Sequence, residues 1–172
     1  MSLIKPFSGI RPKKKFAKQV TSPNLSYINN YKLNKKLNFL NLLNTSNINK
    51  SKKMLKSLND KGLIAQDRSN HFYLYRITYS KKKLLGIVGK INLDNYDDKK
   101  ILGHEETFVE RIKKRKEQLL KFNSQISPIY TTYKSSPNSI KKLNNIFKYK
   151  PDYNFKSEDK CCLLYTSPSP RD

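Results

Sequence analysis

Apolar residues change their spacing along this chain, and each change predicts an element. From Leu33 to Leu43 they recur at positions 33, 37, 40 and 43, the spacing of one helix face. A polar loop, Asn44 to Lys50, follows. Ser51 then stands where an N-cap would, ahead of Met54, Leu55 and Leu58, and Gly62 suits the left-handed residue that ends a helix. Between Phe72 and Tyr79 the pattern becomes a dense run of aromatic and β-branched residues, which predicts a strand. Lys81 to Lys83 make a polar turn, and Leu84 to Ile91 return as a second strand, giving a hairpin over 72–91. Gly86 and Gly89 inside it mark a bulge or a close approach of backbone.

Beyond an acidic connector, Asp94 to Asp98, helical spacing resumes. A long helix is expected from Glu105 to Phe122, with Phe108, Ile112 and Leu119 on one stripe and Arg111, Lys114, Arg115 and Lys121 on other faces. Glu105 and Glu106 would sit in its first turn, where the helix dipole favours acidic groups. Residues 127–133, Ser127 to Tyr133 with Pro128 near the start, predict a strand. Ser139 to Lys148 predict a last helix carrying Ile140, Leu143 and Phe147. The Pro-punctuated residues 1 to 30 predict an extended segment with turns. The expected fold is α+β: a mixed sheet containing the 72–91 hairpin and the 127–133 strand, with helices packed on it, forming the incomplete N-terminal part of a larger fold.

Composition sets bounds on this picture. A length of 172 residues with 36% hydrophobic content allows one domain, or part of one, with a thin core. No apolar run reaches membrane-spanning length and no apolar leader opens the chain, so a cytoplasmic protein with no membrane partner is expected. The two cysteines, Cys161 and Cys162, adjoin each other near the end, leaving the preceding chain without thiolate or disulfide chemistry. The net charge of +23, from 36 Lys+Arg against 13 Asp+Glu, points first to nucleic acid. The excess is nearly all lysine, accompanied by Asn, Ile and Tyr, as an AT-rich genome encodes. Arginine, which reads guanine edges and clamps phosphate, is scarce. The lysines are scattered, as at Lys13 to Lys15, Lys52-Lys53 and Lys81 to Lys83. Nucleic acid is therefore the lesser partner class.

Gly103-His104-Glu105-Glu106-Thr107, at an expected junction into a helix, carries the best candidate chemistry. Amides at a helix start attract anions, a histidine can donate to a phosphate oxygen, and a carboxylate can act as base or hold a metal through water. The competing reading is a loop histidine with two glutamates placed for the dipole. Asp94, Asp97 and Asp98 suit a solvated turn better than a metal, and no metal site is assigned. The Lys113 to Lys116 run reads as a solvated face that draws anions towards the same helix start. His71 lacks a partner at ligand spacing and takes no role.

These segments resemble a known family. Ile4-Lys-Pro-Phe-Ser-Gly-Ile-Arg11 is similar to the opening I-x-P-F-x-G-x-R of the bacterial and archaeal domain-of-unknown-function family numbered one thousand and fifteen, through Pro6, Phe7, Gly9 and Arg11. Tyr73-Leu-Tyr-Arg76 resembles its Y-x-Y-R strand, through Tyr73, Tyr75 and Arg76. Residues 103–107 resemble its H-E-x-T element, and Pro128 to Tyr133 its P-x-x-x-x-Y strand. Two departures stand out. Ser22-Pro23-Asn24-Leu25-Ser26 keeps one proline of the family's P-P-Y-D-V, and Lys114 replaces the Asp of its D-R, leaving Arg115. The resemblance implies a longer parent with a downstream D-G-H-H-R, like free serine kinases of the ParB/sulfiredoxin-like superfamily. It implies nucleotide-dependent phosphoryl transfer between serine or phosphoserine, or a similar small metabolite, and ATP or ADP with Mg²⁺. In that reading His104 and Glu105 are catalytic, and His104, Thr107, Arg111 and Arg115 bind phosphate. The alternatives are a basic nucleic-acid-associated module and a non-catalytic scaffold or regulator.

Residues 162–172 back-translate to a string resembling the mosaic-end adapter of transposase-based sequencing libraries. The family domain is accordingly expected over 1–160, with 161–172 adapter-derived and disordered, and the fragment inactive by itself.

Overall fold

The computed structural model describes residues 3–20, 39, 42, 47–94, 100–103, 108–126, 128–156 and 160–167. In chain order the elements are β1 (Ile4–Lys5), β2 (Ile10–Pro12), a single 3-10 turn (Lys14–Phe16), α1 (Ala17–Val20), α2 (Ile48–Asp60), β3 (Ile64–Gln66), β4 (Phe72–Tyr79), β5 (Lys82–Val88), β6 (Lys90–Ile91), α3 (Val109–Phe122), α4 (Pro137–Ile146), β7 (Tyr153–Lys156) and β8 (Lys160–Ser167). The chain is α+β and divides into two compact units. One comprises residues 1–9, 68–104 and 128–172, and the other residues 10–67 and 105–127.

The first unit is built on a four-stranded sheet in the order β5-β4-β8-β7, with β1 paired separately to β6. The expected hairpin forms: β4 and β5 pair from Tyr73↔Val88 to Tyr79↔Lys82, turning through Ser80, whose φ of 53° lies in the left-handed region. Gly86 lies under the ring of Tyr75, and a Cβ on Gly89 would stand 3.0 Å from the Lys5 carbonyl oxygen, so both glycines mark close approaches. Strand alternation sends Leu74 to one face, where it is buried with Leu143 and Phe147 and flanked by Leu85, Ile87 and Ile146. That partnership fixes α4 on the sheet. Its N-cap is Ser136, whose Oγ accepts from the Ser139 amide, and Pro137 fills the first turn, where no N–H is missed.

In the second unit α2 packs its apolar face on a core of Val20, Leu42, Leu58, Leu63 and Ile64, with Phe16, Phe39, Met54 and Leu55 against it. Burying Leu58, 1% exposed, is worth roughly 2 kcal/mol. Gly62 ends the helix as expected, with φ of 62° and the Leu63 amide returning to the Leu58 carbonyl. The antiparallel pair β2–β3 runs beside it in the register Arg11↔Ala65. α3 ends at Asn123, left-handed at φ 49°, with Phe122 buried.

Several expectations are corrected. The pairings among the described residues are all antiparallel, so the sheet is not mixed. Residues 128–133 form no strand: no partner ladder meets them, and Ile129, Tyr130 and Tyr133 are exposed. Ser127 lies outside the described residues. The cap of α2 is Asn47, not Ser51. The Asn47 carbonyl Oδ1 accepts from the Asn49 and Lys50 amides, whereas Ser51 is buried within the helix and donates to the Leu42 carbonyl at 3.1 Å. α3 begins at Val109 among the described residues. Residues 161–167, expected to be disordered, form most of β8, between β4 and β7. Their Cys-Cys-Leu-Leu-Tyr-Thr run has the strand-favouring composition that a four-stranded ladder accepts. Residues 168–172, and the 33–43 helix apart from Phe39 and Leu42, lie outside the described residues.

Candidate functional site

The opening motif and the Y-x-Y-R strand meet in the first unit. Phe7 and His71 exchange both backbone hydrogen bonds at 3.0 Å in an isolated bridge, which lays the N-terminal segment beside the start of β4. Tyr73 then reaches across. The Gly9 amide donates to its Oη at 2.7 Å, and its hydroxyl donates to the Phe7 carbonyl at 3.4 Å. The Phe7 and Tyr73 rings lie 5.0 Å apart and tilted. A Cβ on residue 9 would stand 2.7 Å from that Oη, so glycine here is a requirement of space. Pro6 is half-buried beside this latch. His71, assigned no role from its sequence spacing, contributes the bridge, and its Nε2 lies 2.9 Å from the Ser69 hydroxyl. The run of turn-forming residues 67–70 just before the strand is the signal that could have flagged it.

Arg11, the last residue of the opening motif, belongs to the second unit. Its Nε donates to Asp67 Oδ1 at 3.0 Å, a half-buried ion pair that ties β2 to the residue after β3. Sequence reading did not identify Asp67 as that partner. Arg76 differs from it. Its Nε is buried and has no hydrogen-bond partner among the described residues, and its guanidinium carbon lies 5.8 Å from the centre of the Phe147 ring. Tyr75 covers Gly86 on the opposite face, while Pro128 and Tyr133 are exposed. The structure thus brings Phe7, Gly9 and Tyr73 together as a structural latch and leaves Pro128 and Tyr133 in solvent.

His104, Glu105 and Thr107 lie outside the described residues. Their helix is described from Val109. Arg111 and Arg115 project from its first two turns, both exposed and four residues apart, and so share a face. The Arg111 guanidinium carbon lies 5.2 Å from the Phe108 ring centre, and an Arg115 Nη donates to Gln118 Oε1 at 3.3 Å. Two guanidinium groups on one exposed face can hold phosphate oxygens through charge-assisted hydrogen bonds. Among the described residues no three of His, Cys, Asp and Glu gather as metal ligands. No described helix is long and apolar enough to cross a membrane.

Among known proteins, no curated protein and no solved structure matches the chain. A family model does, over residues 4–166, a span that includes all four motif segments. The chain therefore belongs to the family described as "Protein of unknown function (DUF1015)".

Proposed function

We propose that this chain carries the anion-holding part of a nucleotide-dependent small-molecule phosphotransferase acting on serine, phosphoserine or a similar metabolite. The observation that carries the reading is the exposed Arg111–Arg115 pair on the helix that follows the His104–Thr107 segment. Phosphoryl transfer depends on positioning and on neutralising charge spread over phosphate oxygens, and a guanidinium pair that follows a histidine and a carboxylate in the sequence has the residue types for both. Arg111 and Arg115 suit the phosphates of ATP or ADP. The described carboxylates do not converge on a Mg²⁺ site, so no step is assigned to that ion. His104 would donate to a phosphate oxygen and Glu105 would accept the attacking hydroxyl's proton.

The test is His104→Ala or Glu105→Ala in a family member that continues beyond this chain. Either is expected to cost at least about tenfold in turnover, about 1.4 kcal/mol of barrier. Unchanged kinetics would remove both residues from the mechanism.

The second reading, a nucleic-acid-associated module, draws on the net charge of +23. Nucleotide protection against thermal unfolding favours the enzyme. Oligonucleotide affinity falling steeply and linearly on a log–log salt plot favours the module.

A further inference from the structure

Arg76 carries a charge that nothing described in the chain answers. Among the described arginines, Arg11 and Arg76 are half-buried and the others exposed. Arg11 meets the usual counter-ion, the Asp67 carboxylate at 3.0 Å. Arg76 meets none. Its Nε is shut off from water without a hydrogen-bond partner. Among the described residues its guanidinium meets only the Phe147 ring, 5.8 Å from the ring centre. Residues 68–93 and 127–151, which contain β4, β5, β6 and α4, include no Asp or Glu. Asp152, next along the chain, already accepts from the Thr166 amide and hydroxyl. The end of α4 offers little more, since the carbonyls of Leu143, Asn145 and Ile146 accept from the Phe147, Lys148 and Tyr149 amides.

A guanidinium drawn partly out of water is costly unless an opposite charge or acceptor oxygens replace its hydration. An aromatic ring attracts the face of the guanidinium plane. It leaves unused the N–H edge, which is the part that forks onto two oxygens of a carboxylate or phosphate. The surroundings select what can meet that edge. Arg76 stands two residues from Leu74 on β4 and so shares the face that α4 covers, with Leu85 opposite it on β5. A helix-covered face has no place for a polymer backbone. Thr78, next on that face towards the hairpin turn, is half-buried, and its cross-strand neighbour Lys83 is exposed. The face therefore opens to solvent past a hydroxyl and a second cation. From this arrangement we infer that Arg76 is the receptor for the oxyanion group, carboxylate or phosphate, of a small ligand, with Thr78 and Lys83 lining its approach. The site uses residues of the first unit alone and stands apart from the Arg111–Arg115 reading.

The experiment is thermal unfolding of the full 172-residue chain titrated with inorganic phosphate and, separately, with acetate, each against sodium chloride at equal ionic strength. A saturable rise in the midpoint beyond that in chloride is expected with at least one oxyanion. A response to phosphate alone assigns a phosphate ligand, and a response to acetate alone assigns a carboxylate. Arg76→Met keeps the stem and removes the fork, and it should raise the concentration needed for half the effect by at least about tenfold, the loss of one charge-assisted hydrogen bond. Arg76→Lys keeps the charge without the fork and should also weaken the response. Lys53→Gln, an exposed position in the second unit, removes one charge and should respond as the parent does. The inference is overturned if neither oxyanion raises the parent's midpoint beyond chloride. It is also overturned if Arg76→Met responds as the parent does, or if Lys53→Gln loses the response equally, for then the net charge alone accounts for it.

Discussion

At Gly9 the side-chain hydroxyl of Tyr73 occupies the space a methyl group would need, and it also accepts the glycine's own amide hydrogen. Tyr73 is buried and its hydroxyl is engaged, so it cannot yield cheaply. Gly9→Ala is expected to destabilise the first unit by about 1–3 kcal/mol, as overpacking does, and Tyr73→Phe by about 1–2 kcal/mol through a stranded N–H. Denaturant midpoints at constant slope would check both. Arg76 poses the opposite case. Its buried Nε has no partner among the described residues, an arrangement that costs about 1–3 kcal/mol, whereas its approach to the Phe147 ring returns about 0.5–1 kcal/mol. The penalty is the larger quantity. Arg76→Met, which keeps the stem and removes the donor, is therefore expected to raise the unfolding midpoint; a fall in the midpoint would show that Nε has a partner in solution.

The elements that sequence periodicity revealed are those whose pattern is local and long. β4 and β5 were legible because seven register pairs of aromatic, aliphatic and basic residues flank a two-residue turn. α2, α3 and α4 announced their apolar faces at helical spacing. β1, β2 and β3 span only two or three residues each, too few for alternation to register. Residues 128–133 have strand-like composition but no ladder to join, since pairing is a property of the fold and not of the segment. Ser51 looked like a cap because its hydroxyl suits one. In the folded chain that hydroxyl serves Leu42, and Asn47 caps the helix instead. Asn47→Ala should therefore cost about 1 kcal/mol. Leu58→Ala, in the core of the same unit, should cost about 2–5 kcal/mol, whereas Leu120→Ala on the exposed side of α3 should stay within about 0.5 kcal/mol. Thermal melts of the three variants would rank them in that order. Of the candidate site, the sequence identified Arg111 and Arg115, which the structure places on one face. It missed Asp67 because its partner Arg11 lies far away along the chain, and it missed the backbone bridge of His71 because Phe7 does.

For the whole molecule, a net charge of +23 acts over the entire surface. Self-repulsion opposes compactness and is screened by salt. Raising ionic strength from about 0.01 M to 0.15 M, which shortens the screening length from about 30 Å to about 8 Å, is expected to raise the melting temperature. A lower melting temperature at the higher ionic strength would show that ion pairs such as Arg11–Asp67 outweigh the repulsion. The sheet's connectivity has a consequence of another kind. β4 pairs with β5 across a two-residue turn, but on its other side its register joins Phe72 to Ser167 and Tyr79 to Lys160. As the polypeptide leaves the ribosome, the hairpin can close at once, while one flank of β4 stays open until β8 has been translated. During that interval the nascent chain displays a row of unsatisfied amides and carbonyls, and chaperone engagement there would determine how much of the product folds instead of aggregating.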